Sequence, residues 1–398
     1  MQDMSDRNFA NDRNFAGLDL LRFFAAMIVC LYHVAFLSWA KADSSASAIS
    51  GKSYSFDDFE GQLSVGWVGV EIFFVISGFV ITFSAKASAW HFLRSRLLRL
   101  YPAVWFCAPI SLAIALGFGA FPFSEVPTRI MRSAALWPKG NWVDGVYWTL
   151  GIEISFYLLV YLLLKFVSRR SITPVLVALG TLSATYWLSQ LFVQVVWGIQ
   201  LVPDFMKQGG ANRYLELSLI PHGCFFAIGG LAWSVLCDKR TRWLWLAMGY
   251  FAIGALAEIH YTNALKQAWT GISSDVGLPQ LVWILSMLFL WLSVSKRESL
   301  TQYIPVSGAR ILGKMTYPFY LLHTTVGCAV LFEFGLLNVN RWCALGAAMF
   351  VTLTASYLVA QIFEPKLKNV FAKLLDTKPS SYFKLLNGNG HRPDLQRE

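Results

Sequence analysis

Apolar runs long enough to cross a bilayer recur from one end of this 398-residue chain to the other, and lipid leaves such runs little choice but the helix. Ten are read, at roughly 17–39, 65–85, 102–120, 148–167, 173–197, 214–236, 242–260, 276–295, 311–333 and 341–363. Only 14% of residues are charged and 56% are hydrophobic, where a soluble domain carries ~25% charge. The expected fold is all-α, a polytopic membrane protein with about ten transmembrane helices and added interfacial amphipathic helices. It divides into a cytoplasmic segment (1–16), a membrane domain (17–363) and a tail (364–398) with an amphipathic helix, polar and disordered beyond Asp376. The first apolar run is span-length with no small-residue cleavage site after it, so no cleavable signal is expected.

The basic residues give the orientation. With the N-terminus inside, 21 of the 33 Lys and Arg fall in inner segments, nine in outer loops and three within spans. The positive-inside rule then sets both termini in the cytoplasm and accounts for the net charge of +10 without nucleic acid. Two inner segments are amphipathic, 88–101 with Arg94, Arg96 and Arg99, and the tail run KLKNVFAKLL; both are expected on the inner surface. The six cysteines lie in or beside apolar runs with no CxxC, and read as packing residues rather than disulfides or metal ligands.

Ionisable residues inside spans are the chemically informative ones, because lipid makes them costly. Arg22 and His33 share one face of the first run, eleven residues and ~16 Å apart. By the orientation above, His33, Glu71 and Glu153 fall at similar depth in three helices. A carboxylate that orients a histidine is the usual general-base pair, and a hydrogen-bonded helix contact is the plainer alternative. His222 enters the sixth span from the outer side, Glu258 approaches it from below, and His323 is near the middle of the ninth. The inner arginines suit phosphate oxygens, or equally the positive-inside rule and anionic lipid. Ser77-Gly78 in the second span permits close helix approach. No Walker loop, dinucleotide fingerprint, HExxH or GxSxG is present. On these residues alone an enzyme, a proton-coupled transporter or flippase for a glycan or lipid, and a sensor or scaffold all remain open.

Five blocks in order carry a resemblance: GLDLLRFFAAMIVCLYH (17–33), VGVEIFFVISGFVIT (68–82), RLLRLYPAVW (96–105), YWTLGIEISFYLL (147–159) and LGKMTYPFYLLH (312–323), closed by FEP at 363–365. The chain resembles the acyltransferase 3 family of integral membrane O-acyltransferases. That resemblance implies transfer of an acyl group, most often acetyl, from cytoplasmic acetyl-CoA (acyl-CoA) to a hydroxyl of a cell-surface glycan. It implies essential roles for Arg22 and His33, with Glu71, standing where many relatives have Asp, or Glu153 orienting the histidine. Arg94, Arg96, Arg99, Tyr101 and Ser77 are then expected at the acyl-CoA, and Trp148, Tyr320, His323 and His222 at the acceptor. Some relatives carry an added esterase-like domain; this chain ends soon after its last run, and a stand-alone form is expected. Expected partners are acyl-CoA, a glycan or glycolipid acceptor and membrane lipids, with homo-oligomerisation left open and neither metal nor nucleic acid expected. The expected location is the inner (cytoplasmic) membrane.

Overall fold

The computed structural model of the chain describes residues 15–85, 88–198, 213–237 and 242–376, and these are helical with no strand among them. The polar tail expected beyond Asp376 and residues 1–14 lie outside the described residues. Eleven helices organise the molecule: α1 (Ala16–Leu31), α2 (Gly69–Ser84), α3 (Ala89–Gly117), α4 (Trp148–Leu162), α5 (Ile172–Trp197), α6 (Gly223–Leu236), α7 (Trp243–Thr270), α8 (Gly277–Ser295), α9 (Val306–Leu336), α10 (Arg341–Leu358) and α11 (Glu364–Asp376). Nine helical segments among the described residues are long and apolar enough to span, and each matches one of the expected runs.

The tenth run behaves differently. Its 214–236 stretch divides into a short helix, Arg213–Leu217, and the 14-residue α6. At ~1.5 Å per residue, α6 is shorter than the ~30 Å hydrocarbon core. Every residue from Gly223 to Ser234 is buried, so α6 is the bundle's central post, wrapped by α2, α5 and α7. It meets α2 backbone to backbone. A Cβ at Gly229 would fall 1.8 Å from the Val75 carbonyl oxygen, and one at Gly78 2.1 Å from that of Phe226. Only glycine fits either place, so the Ser77-Gly78 pair does mark a close helix approach.

One surface-helix expectation needs correction. Residues 88–101 do not form a separate helix on the inner surface: α3 runs unbroken from Ala89 through Pro102 and Pro109 to Gly117. Ser88 starts it as an N-cap, its hydroxyl accepting from the His91 N–H. The expected amphipathic tail helix is present as α11, and it packs back on α3, Phe371 lying against Tyr101 and Trp105. Lys266, counted in an outer loop, is helical because α7 continues to Thr270. None of the six cysteines is in a disulfide.

Relative depth follows from who faces whom. Gly66 sits against Ile28 and Tyr32, and Gly69 against Ala25 and Val29, so the second segment descends antiparallel to α1. Gly313 sits against Asp19 and Gly327 against Val34, so α9 rises parallel to α1. The loop before α4 dips into the bundle: Val143, Asp144, Val146 and Tyr147 are all buried. A buried loop must satisfy its own backbone, and side chains do so here. Ser133 Oγ accepts from the Val143 N–H, Arg129 donates to Trp142 O, and Tyr320 donates to Val146 O. Arg213 adds bonds to Pro138 O and Trp148 O. The N-terminus of α4 is thereby held level with Tyr320, inside the bundle.

Candidate active site

His33 lies where α1 changes its winding. Residues Tyr32–Leu37 form a π-helical turn, a local irregularity that helices commonly reserve for functional positions. The His33 Nδ1 is 2.9 Å from Val29 O and 3.2 Å from His323 Nε2. His323, fully buried, has its own Nδ1 2.8 Å from Tyr320 O. A carbonyl only accepts, so both Nδ1 atoms carry protons. The single His33 Nδ1–H is then shared between Val29 O and His323 Nε2, and the lone pair of His33 falls on its Nε2. His33 is part-buried rather than sealed in.

Below this pair, toward Arg22, lies a cavity of about 740 Å³ counting its open mouth. Arg22, Arg96 and Arg99 line it at one end. Its walls carry Ser77, Glu153 and Tyr157, and Thr149 and Tyr320 line it toward the histidines. Ser77 donates to Glu153 Oε1 at 2.9 Å, and the Tyr157 hydroxyl donates to the same oxygen. Arg96 lies 5.7 Å from the Tyr157 ring, and Arg22 stands 3.6 Å from Asp19. The Tyr320 hydroxyl is 2.8 Å from Thr149 Oγ1. A continuous line of contacts therefore runs from the cavity wall through Tyr320 and His323 to His33. With three guanidinium groups to one carboxylate on its wall, the cavity is built for an anion.

The expectation that His33, Glu71 and Glu153 share a depth fails. Glu71 follows Gly69 by two residues and lies near the level of Ala25, eight residues or ~12 Å from His33. Its neighbour is His222, whose Nδ1 is 3.7 Å from Glu71 Oε2. Glu153 lies lower still, bound to Ser77 at the level of the arginines. Counting from assumed span ends misplaced both. The second span's helical segment begins at Asp57 rather than near 65, and α4 starts inside the bundle rather than at its surface. The residue that holds His33 is His323, which the sequence assigned to the acceptor.

The other expected residues divide. Arg96, Arg99 and Ser77 line the cavity with Arg22, and Tyr320 reaches it; Arg94 and Tyr101 are not among the lining residues. Tyr101 instead points to Ala135 O and the α11 face. Trp148 lies 6.2 Å from the His222 ring. Tyr157, Tyr317 and Thr316 line the cavity and were not anticipated. Tyr157 is one turn beyond Glu153 on α4, and that spacing was the only sequence sign of it. Glu71, His222 and Glu258 form a second buried group whose donor atoms all lie within 4.8 Å of one another.

Fold and cavity together define a polytopic all-α membrane protein with an arginine-walled chamber inside its bundle. Residues 15–361 match the model of an acyltransferase domain, and the chain belongs to that family, acyltransferase 3. It is similar to the O-acetyltransferase OatA of Staphylococcus aureus, 30% identical over 344 residues that cover 78% of this chain and 50% of that protein. It is similar also to Nodulation protein 10 of Rhizobium leguminosarum bv. viciae, 28% identical over 273 residues, 61% of this chain and 67% of that one. A third relative is the exopolysaccharide production protein ExoZ of Rhizobium meliloti, 33% identical over 111 residues, 24% and 33% of the two chains. The chain spans about half the length of the staphylococcal relative. No solved structure matches it.

Proposed function

We propose that this protein is a membrane O-acyltransferase that moves an acyl group, acetyl first, from acyl-CoA to a hydroxyl of a glycan or glycolipid. The carrying observation is the line of contacts that joins an arginine-walled cavity to an imidazole with a free Nε2. The reading sets the arginine end in the cytoplasm, by the positive-inside rule, in the inner membrane. Arg22, Arg96 and Arg99 hold the phosphates of CoA, and the pantetheine arm crosses the ~16 Å to His33. His33 Nε2 takes the proton of the acceptor hydroxyl, whose oxygen attacks the thioester carbonyl; the C–S bond breaks and the proton ends on the CoA thiol. His323 holds the His33 tautomer as a positioning residue, fixed in turn by the Tyr320 carbonyl. Glu153, screened by Ser77 and Tyr157, orients the cavity end of the donor and not the histidine. The names of the relatives, an O-acetyltransferase and an exopolysaccharide production protein, support the reaction class and a polysaccharide acceptor.

The test supplies labelled acetyl-CoA to membranes with and without the protein and follows label into the glycan fractions. Label that depends on the protein and disappears in His33→Ala is expected. Equal labelling with the variant, at equal amounts of folded protein, would overturn the reading.

A further inference from the structure

Outside the cavity the described residues hold a second tightly buried ionisable group. Glu71 on α2, His222 at the N-cap of α6 and Glu258 on α7 converge from three helices, with relative exposures of 2%, 7% and 1%. Glu71 Oε2, His222 Nδ1 and Glu258 Oε2 are each buried with no hydrogen-bond partner. Among the described residues no Lys or Arg is in ion-pair contact with either carboxylate; the nearest cation acting on both is Lys266, about two turns beyond Glu258 on α7. An isolated carboxylate is strongly penalised away from water, so two of them side by side require a cation or protons.

The spacing favours a cation. At 3.7 Å, His222 Nδ1 and Glu71 Oε2 are too far apart for a direct hydrogen bond. Two donors each ~2.0–2.2 Å from one tetrahedral ion stand roughly 3.4 Å apart, so a small inward shift of these side chains completes a three-ligand site. Two carboxylates and a neutral imidazole balance a divalent ion. One imidazole with two carboxylates suits zinc and its transition-metal neighbours better than calcium or magnesium, which prefer all-oxygen sites. The surroundings already hold the ligands in place. Thr262 donates to Glu258 Oε1 at 2.8 Å, leaving Oε2 as the inward atom, and the Phe74 ring lies 5.0 Å from that of His222. Phe74 also lines the cavity, which sets this group behind the cavity wall rather than within it.

We propose that Glu71, His222 and Glu258 form a binding site for a divalent transition-metal ion of the zinc type, which ties α2, α6 and α7 together. No spacing motif announces it, because each ligand comes from a different helix. The proposal does not depend on the acyl-transfer reading. Its test is the metal content and thermal unfolding of the full chain purified in detergent. About one equivalent of zinc per chain is expected after dialysis against trace zinc, falling at least about tenfold in Glu258→Gln and His222→Gln. Chelator treatment should lower the unfolding temperature, and zinc but not magnesium should restore it. If the variants do not fold, the stripped native protein decides: cobalt(II) should bind with the visible absorption of a tetrahedral nitrogen–oxygen site. Less than about a tenth of an equivalent with no zinc-dependent shift overturns the proposal, as does metal retained in full by both variants. Stabilisation by mild acid with no response to metal would mean shared protons, and would overturn it equally.

Discussion

His33 and His323 show how much of a site rests on one bond's direction. The Tyr320 and Val29 carbonyls fix both tautomers, and so leave the lone pair of His33 on its Nε2. Replacing His33 with Ala should reduce transfer by about 10²–10⁴-fold, the usual worth of a positioned base, with no change in unfolding temperature beyond about a degree. His323→Gln should cost less, roughly tenfold in kcat with KM for acyl-CoA unchanged, because it disturbs only the orientation of His33. At the other end, Arg99→Ala should raise KM for acyl-CoA by about 10–100-fold, the worth of one charge-assisted bond of ~1.5–3 kcal/mol, with kcat nearly kept. Steady-state kinetics in nanodiscs separate these outcomes. Arg22 and His33 were legible from the sequence because ionisable residues in a span are conspicuous. The partnership of His33 with His323 was not, since the two are 290 residues apart.

Among the elements, α6 decides the architecture. It is apolar throughout, and its composition reads the same as that of a lipid-facing span; only its length and the two facing glycines set it apart. Gly229→Ala should therefore be far more damaging than an alanine at an open glycine such as Gly249, which has nothing near its Cβ position. Backbone would have to move, at a cost at or beyond the upper end of ~1–3 kcal/mol, and scanning fluorimetry should show a lower unfolding temperature or loss of a monodisperse species. The loop before α4 is the second such element. A polar stretch between apolar runs normally reads as surface, and nothing local shows that Arg129, Ser133, Tyr320 and Arg213 satisfy its backbone well enough to bury it.

For the whole molecule, the testable property is which way the bundle faces. With both termini inside, a cysteine at Lys139 should react with a membrane-impermeant maleimide in intact cells, and one at Arg170 only after lysis. The reverse pattern would set the arginine end of the cavity outside, where acyl-CoA is not supplied.

The sequence alone determined the class of the molecule: helices, their approximate number and the family. Those follow from local quantities, the length and hydropathy of each run and a few short blocks, because lipid imposes the same demand on every span independently. Which polar groups meet was decided by tertiary structure. Depth in a bundle depends on the register between helices, here set by glycine contacts and by a loop that folds inward. A shift of two turns moved Glu71 away from His33 and joined it to His222 and Glu258.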